Sequence, residues 1–262
     1  MNSERGALAL VGSGEYLTQM QEIESDLLQV GISRGKSNTF VQIPTGAGQE
    51  SDDRIEFWKA RGAAQAERLN AQCHFLPILK REDAFNEQYI NQLSNAGLIY
   101  FSGGDPGYIT EVFGETPLWN KIKQEFDSGT SLAGCSAGAM AFGSKIVGIR
   151  KSHVQSGLGL IPNIEVIPHY DKFLGWVPDR IASIALRSDK GSYLLGIDED
   201  TALVLTDKWR VQGRAKVHVL KGLPESPQTF ASGEEINLLQ SAVAKRSSAN
   251  SQLMYLQAPV HQ

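Results

Sequence analysis

Five short apolar runs, each followed by a longer amphipathic stretch, constrain this chain more than any other feature. Ala7–Val11, Thr39–Ile43, Cys73–Leu79, Leu98–Phe101 and Thr130–Ala133 have the length and content of buried strands. Between them, Leu17–Ile32 carries Met20, Ile23, Leu27 and Leu28 at helical spacing. Asp52–Leu69 reads as a helix capped by Ser51 or Asp52, and Pro106–Phe126 as one long helix. This alternation predicts an α/β fold: a mostly parallel, doubly wound sheet with helices on both faces. Right-handed crossovers then bring the strand ends to one edge, where such sheets bind ligands.

The rhythm changes after Phe142. Short strands are expected at Ile146–Ile149, Glu165–Ile167, Tyr193–Ile197, Ala202–Leu205, Trp209–Gln212 and Lys216–Leu220. They read as a mixed-strand C-terminal extension of the same sheet. A length of 262 residues suits one domain. The expected division is a single α/β domain over 1–224 and a polar tail, rich in Ser, Gln and Glu, over 225–262.

Charge and cysteine content narrow the function classes. The net charge is −4 with no basic block, so nucleic acid is not an expected partner. No run is long enough to span a bilayer, and Ala7–Val11 is too short for a secretory apolar segment, so the expected location is the cytoplasm. The two cysteines, Cys73 and Cys135, make no disulfide framework and no zinc spacing. No metal or organic cofactor is expected.

The segment with chemistry is Ala133-Gly134-Cys135-Ser136-Ala137-Gly138-Ala139, where an expected strand runs into G-x-S-x-G and a small-residue helix follows. In that context the motif is a nucleophile elbow. Gly134 and Gly138 remove side chains that would strike the neighbouring strand and helix. Ser136 would project its hydroxyl from the sheet edge, with the Ala137 amide aimed at a developing oxyanion. A second turn, Phe101-Ser102-Gly103-Gly104-Asp105-Pro106, follows a buried strand. Gly104 is a candidate for the second oxyanion donor, and Asp105 a candidate cap for the next helix. A packed glycine turn with no chemistry is the plainer reading of each segment alone.

A serine nucleophile needs a base. Among His74, His153, His169, His218 and His261, placement favours His169, which follows the short strand ending at Ile167. The third member is open between Asp171 and the acidic turn Asp198-Glu199-Asp200. If the backbone stays extended there, Glu199 points opposite to Asp198 and Asp200.

Together these segments resemble the serine peptidase family of cyanophycinase and aspartyl dipeptidase (peptidase E). That family shares its fold with class I glutamine amidotransferases. The resemblance spans roughly residues 7–220. It runs through Ile43-Pro44-Thr45, Phe101-to-Asp105, Gly134-to-Ala139, Gly157-to-Pro162, the strand to His169, and Gly196-to-Ala202. It implies Ser136 as nucleophile, His169 as base, Glu199 as the acid, and the Gly104 and Ala137 amides as oxyanion hole. It also implies a small peptide substrate, cut at a peptide or isopeptide bond next to an aspartyl residue through an acyl-enzyme. Some relatives pair, so a homodimer is compatible with the resemblance, although no interface is marked. The chain departs from the family's pattern on the substrate side. Pro106-Gly107-Tyr108 stands where relatives carry a polar glutamine, and the first arginine after His169 is Arg180. The forked donors of Arg180 suit a substrate carboxylate, or equally a surface ion pair.

Three rival readings follow from the same residues. An amidotransferase needs a thiol at the elbow, and Cys135 comes one residue early, facing the core. A dinucleotide site would need a third glycine after Gly12-Ser13-Gly14, and Leu17 occupies that position. A catalytically silent member that binds a small ligand in the same cleft would be favoured by His169 lying far from Ser136 with no acid nearby.

Overall fold

A computed structural model describes residues 5–147, 155–173, 188 and 191–238. Its main sheet has eight strands. The N-terminal part supplies β1 (Leu8–Val11), α1 (Gln21–Ser33), β2 (Thr39–Ile43), α2 (Asp52–Arg68), β3 (Gln72–Phe75), α3 (Glu87–Gln92) and β4 (Leu98–Phe101). Then follow α4 (Pro106–Phe113), α5 (Pro117–Asp127), β5 (Ser131–Cys135) and α6 (Ala137–Phe142). Strands β1, β5, β4, β2 and β3 lie side by side and are all parallel.

Side chains on alternate strand positions enter separate cores, so both faces of the sheet are apolar. Ala7, Ala9, Val11, Phe40 and Tyr100 pack with Ile23, Leu27 and Leu28 of α1. Leu8, Leu10, Ile43, Ile99 and Phe101 pack with Val112, Trp119, Ile122 and Phe142 of the helices on the other face. The doubly wound sheet expected from the sequence is thus present.

The stretch expected as one helix over 106–126 is two. Pro117 opens α5, and Thr116 accepts a hydrogen bond from the Trp119 amide as its cap. Proline has no amide and disfavours a helical residue before it, so the break falls where the sequence carries it. Strand β3 ends at Phe75 rather than Leu79, just before Pro77 interrupts edge pairing. Ser51 occupies the cap position of α2, but its side chain makes no cap bond.

The C-terminal half adds β6 (Lys145–Ile146), β7 (Gln155–Ser156), β8 (Ile164–Ile167), α7 (Tyr170–Phe173), β9 (Tyr193–Ile197), β10 (Thr201–Leu205), β11 (Trp209–Gly213), β12 (Lys216–Lys221), β13 (Gln228–Ala231) and β14 (Glu235–Ile236). Strands β10, β11 and β14 extend the main sheet antiparallel beyond β1. Strands β8, β9, β12 and β13 form a second, four-stranded mixed sheet. The expectation of a single extended sheet is corrected here. Val166, Leu195, Ile197, Val217 and Val219 join the core on the α6 side, so this sheet covers a face of the first. Pairing also continues past residue 224, where a polar tail was expected to begin. Thr229 and Phe230 sit opposite His218 and Val217, and Ile236 opposite Trp209. Phe230, Ile236 and Leu238 supply apolar contacts there within an otherwise polar stretch.

Candidate active site

The parallel strands end in register. Val11 pairs with Cys135, Gly134 with Phe101, and Phe101 with Ile43. Ser136, the Ser102–Gly104 turn and Thr45 therefore share one edge. Strand β10 runs antiparallel to β1 with Ala202 opposite Val11, so the turn preceding it arrives at the same edge. Strand β8 is parallel to β9, with Ile167 opposite Gly196, which sets His169 beside the end of β9.

Ser136 lies between β5 and α6 with φ 50° and ψ −107°. This left-handed backbone in a non-glycine residue costs on the order of 1–3 kcal/mol and persists only where the surroundings hold it. They do so by close packing. The Ser136 amide donates to Val11 O at 2.9 Å. A Cβ on Gly138 would stand 2.8 Å from Phe101 O, and one on Gly134 would stand 2.6 Å from the Gly138 carbonyl carbon. Glycine at both positions lets β5, β4 and α6 approach closely enough to hold the turn.

Ser136 Oγ stands 3.1 Å from His169 Nε2, and His169 Nδ1 stands 3.2 Å from Glu199 Oε1. His169 too has positive φ, at 51°. The structure brings Ser136, His169 and Glu199 into one hydrogen-bonded chain. The other carboxylates have different partners. Asp198 contacts His218 Nε2 at 3.2 Å and accepts from the Lys216 amide. Asp200 pairs with Arg214 at 3.1 Å. Asp171 Oδ1 accepts from the Glu199 amide at 2.9 Å, so it braces the backbone of the acid. Lys172 Nζ stands 3.2 Å from the second Glu199 oxygen, and its side chain is 63% exposed.

The glycine turn faces the serine. A Cβ on Gly103 would lie 3.5 Å from Ser136 Cβ. Asp105 caps α4 as expected, accepting from the Gly107 and Tyr108 amides at 2.8 and 3.1 Å. The amides of Gly104 and Ala137 take no part in the hydrogen bonds of the fold among the described residues.

Cys135 is buried, and its thiol donates to Glu15 Oε2 at 3.0 Å, away from the serine. Burial, then the Glu15 charge, pushes this thiol well above the usual cysteine range. It is no thiolate nucleophile, which removes the amidotransferase reading at this position. Glu15 itself went unnoticed in the sequence. The signal was a carboxylate just after β1, at the ligand edge, inside a turn read only for its glycines. Arg180 lies outside the described residues. Among the described residues no group of three or more His, Cys, Asp or Glu could hold a metal ion.

The model of peptidase family S51 matches residues 8–211. The chain belongs to that family. A crystal structure of a peptidase from an acI-B1 Actinobacterium shares 51% identity with this S51 member, with a TM-score of 0.83, over 88% of this chain and 96% of that one. The cyanophycinase of Trichormus variabilis is 27% identical over 231 residues, 82% of this chain and 73% of the relative. That of Geminocystis herdmanii is 25% identical over 236 residues, 83% of this chain and 81% of the relative. A Listeria monocytogenes EGD-e structure at 18% identity has a TM-score of 0.56, over 80% of this chain and all of that one, and speaks for the fold alone. The resemblance to the cyanophycinase and peptidase E family holds, and this S51 member is a serine peptidase acting on peptide substrates. No helix among the described residues is long and apolar enough to cross a membrane.

Proposed function

We propose that Ser136 is the nucleophile of this peptidase, His169 its base and Glu199 the orienting acid, and that cleavage at an aspartyl residue runs through an acyl-enzyme. The observation that carries this reading is the continuous chain from Ser136 Oγ through both ring nitrogens of His169 to Glu199 Oε1, at 3.1 and 3.2 Å. Ser136 Oγ attacks the scissile carbonyl while Nε2 takes its proton. Glu199 holds the ring in the tautomer that leaves Nε2 free to accept, and stabilises the imidazolium. The amides of Gly104 and Ala137 receive the oxyanion. His169 then protonates the leaving amine, and water repeats the sequence to release the acid.

The preference for an aspartyl bond rests on the resemblance and on relatives that are cyanophycinases. A substrate carboxylate needs a cation near the scissile bond. Lys172 stands at the rim of the Glu199 site, and Arg180 remains a candidate from its position in the sequence.

The test is a dipeptide panel with aspartyl, isoaspartyl, asparaginyl and alanyl residues at the scissile bond. Wild type and Ser136→Ala are compared by chromatography of the products. Aspartyl or isoaspartyl cleavage by wild type alone is the expected result. Equal cleavage of alanyl peptides would remove the aspartyl preference, and activity surviving in Ser136→Ala would remove the nucleophile.

A further inference from the structure

We propose that Glu15 positions the oxyanion turn, its carboxylate joining the Gly103 amide to the Cys135 thiol and so fixing where the Gly104 amide stands relative to Ser136. The proposal rests on Ser136 being the nucleophile and on the Gly104 amide receiving the oxyanion.

Glu15 follows β1 and is only 9% exposed, a rare environment for a carboxylate without partners. Its partners come from the two neighbouring strand ends. Oε1 accepts from the Gly103 amide, after β4, at 3.0 Å. Oε2 accepts from Cys135 Sγ, the residue before the nucleophile, at 3.0 Å. One side chain thus spans the glycine turn and the elbow, which are 88 and 120 residues away in sequence.

The remaining amides of the turn show what this link decides. Ser102 N donates to Ile43 O at 3.1 Å, and Asp105 N donates to Gly46 O at 2.7 Å. With Gly103 N held by Glu15, Gly104 N is the amide of the turn that the fold leaves available among the described residues. Its φ of 132° turns the peptide in a way that only glycine accepts readily. A charged acceptor holds an amide roughly twice as strongly as a neutral one, so the carboxylate fixes the turn against rotation. Without it, the Gly103 amide would seek another acceptor and the adjoining Gly104 peptide would rotate with it. A misplacement of about 1 Å in such a donor costs about 10²-fold in rate.

Glu24 serves as a control from the same buried region. It accepts from the Tyr16 amide at 3.3 Å and from Gln65 at 2.6 Å, and it makes no hydrogen bond to the glycine turn.

The experiment measures phosphonylation of the full chain by a fluorophosphonate, followed by intact mass, and resolves kinact and KI for each variant. Glu15→Ala is expected to lower kinact by about 10²-fold with KI nearly unchanged. Glu15→Gln keeps an acceptor for the Gly103 amide and is expected to recover to within about tenfold of wild type. Glu24→Gln is expected to label at the wild-type rate, which a merely structural role for this buried region would not give. Should Glu15→Ala fail to fold, Glu15→Asp decides. Its carboxylate is one methylene too short to reach both partners, so an approximately tenfold loss in kinact is expected. A folded Glu15→Ala or Glu15→Asp with wild-type kinact overturns the proposal, and so does a Glu15→Gln as slow as Glu15→Ala. Wild type that forms no adduct at Ser136 is a different outcome: it overturns the nucleophile assignment on which the proposal stands.

Discussion

Ser136 and His169 both hold their backbones at positive φ, 50° and 51°, and in that conformation Oγ and Nε2 stand 3.1 Å apart. Two non-glycine residues in the left-handed region, facing each other at one sheet edge, concentrate backbone strain where the chemistry is proposed. The packing around Gly134 and Gly138 holds the first, and the parallel β8–β9 pair sets the second.

The acid assignment separates three neighbouring carboxylates. Glu199→Gln keeps the shape of the side chain but lets it donate to Nδ1, favouring the wrong tautomer of His169. We expect kcat to fall by about 10²- to 10⁴-fold with KM little changed. Asp198→Asn, whose partner is His218, is expected to stay within about threefold, since it lies outside the Ser136–His169–Glu199 chain. Steady-state kinetics on any cleaved dipeptide checks this, and the reverse ranking contradicts it.

Lys172 is expected to contribute weakly. Its ammonium stands 3.2 Å from Glu199, but it is 63% exposed, so solvent screens the pair. Lys172→Met is expected to change kcat by no more than about fivefold, and less still at high salt. A larger change confined to KM for acidic dipeptides would assign it to substrate carboxylate binding instead.

The glycine turn tolerates no side chain at Gly104. A Cβ there would run into Gly46 O, and its φ of 132° strains any other residue. Gly104→Ala is expected to lower the melting temperature by several degrees, at about 2–4 °C per kcal/mol, and to abolish detectable phosphonylation. Differential scanning fluorimetry and intact mass read the two effects separately.

Stability depends on pH through Glu24. Burial pushes its carboxyl up to about 8, against the lowering effect of hydrogen bonds from Gln65 and the Tyr16 amide. Between the ordinary glutamate pKa of about 4.3 and that value, the folded state keeps a proton that the unfolded chain has lost. Stability therefore falls as pH rises through this window and levels off above it. Glu24→Gln stays neutral at every pH without changing the shape. The variant should nearly match wild type near pH 4 and exceed it near pH 8, by on the order of a few kcal/mol. Urea unfolding at the two pH values tests this, and parallel behaviour of both proteins contradicts it.

Local features were the ones most legible in the sequence. Short apolar runs such as Leu98–Phe101 become central strands because no other local structure buries them on both sides. The G-x-S-x-G segment marks its own turn, since the glycines record how closely β4 and α6 approach. His169 could be chosen because it follows a strand end. The departures are long-range or concern register. Nothing local says that β9 leaves the main sheet while β10 joins it, because both are equally apolar. Glu15 carries no local mark of its role, because its partners Gly103 and Cys135 are distant in sequence. Pro117 is the local mark of the break within the stretch expected as one helix over 106–126.

The most direct test of the central claim is intact-mass spectrometry with peptide mapping after fluorophosphonate treatment of wild type, Ser136→Ala and His169→Ala. One adduct on wild type, mapped to Ser136 and absent from both variants, is the predicted result. An adduct elsewhere, or a well-folded wild type that stays unlabelled, would contradict the assignment of Ser136 as a nucleophile activated by His169.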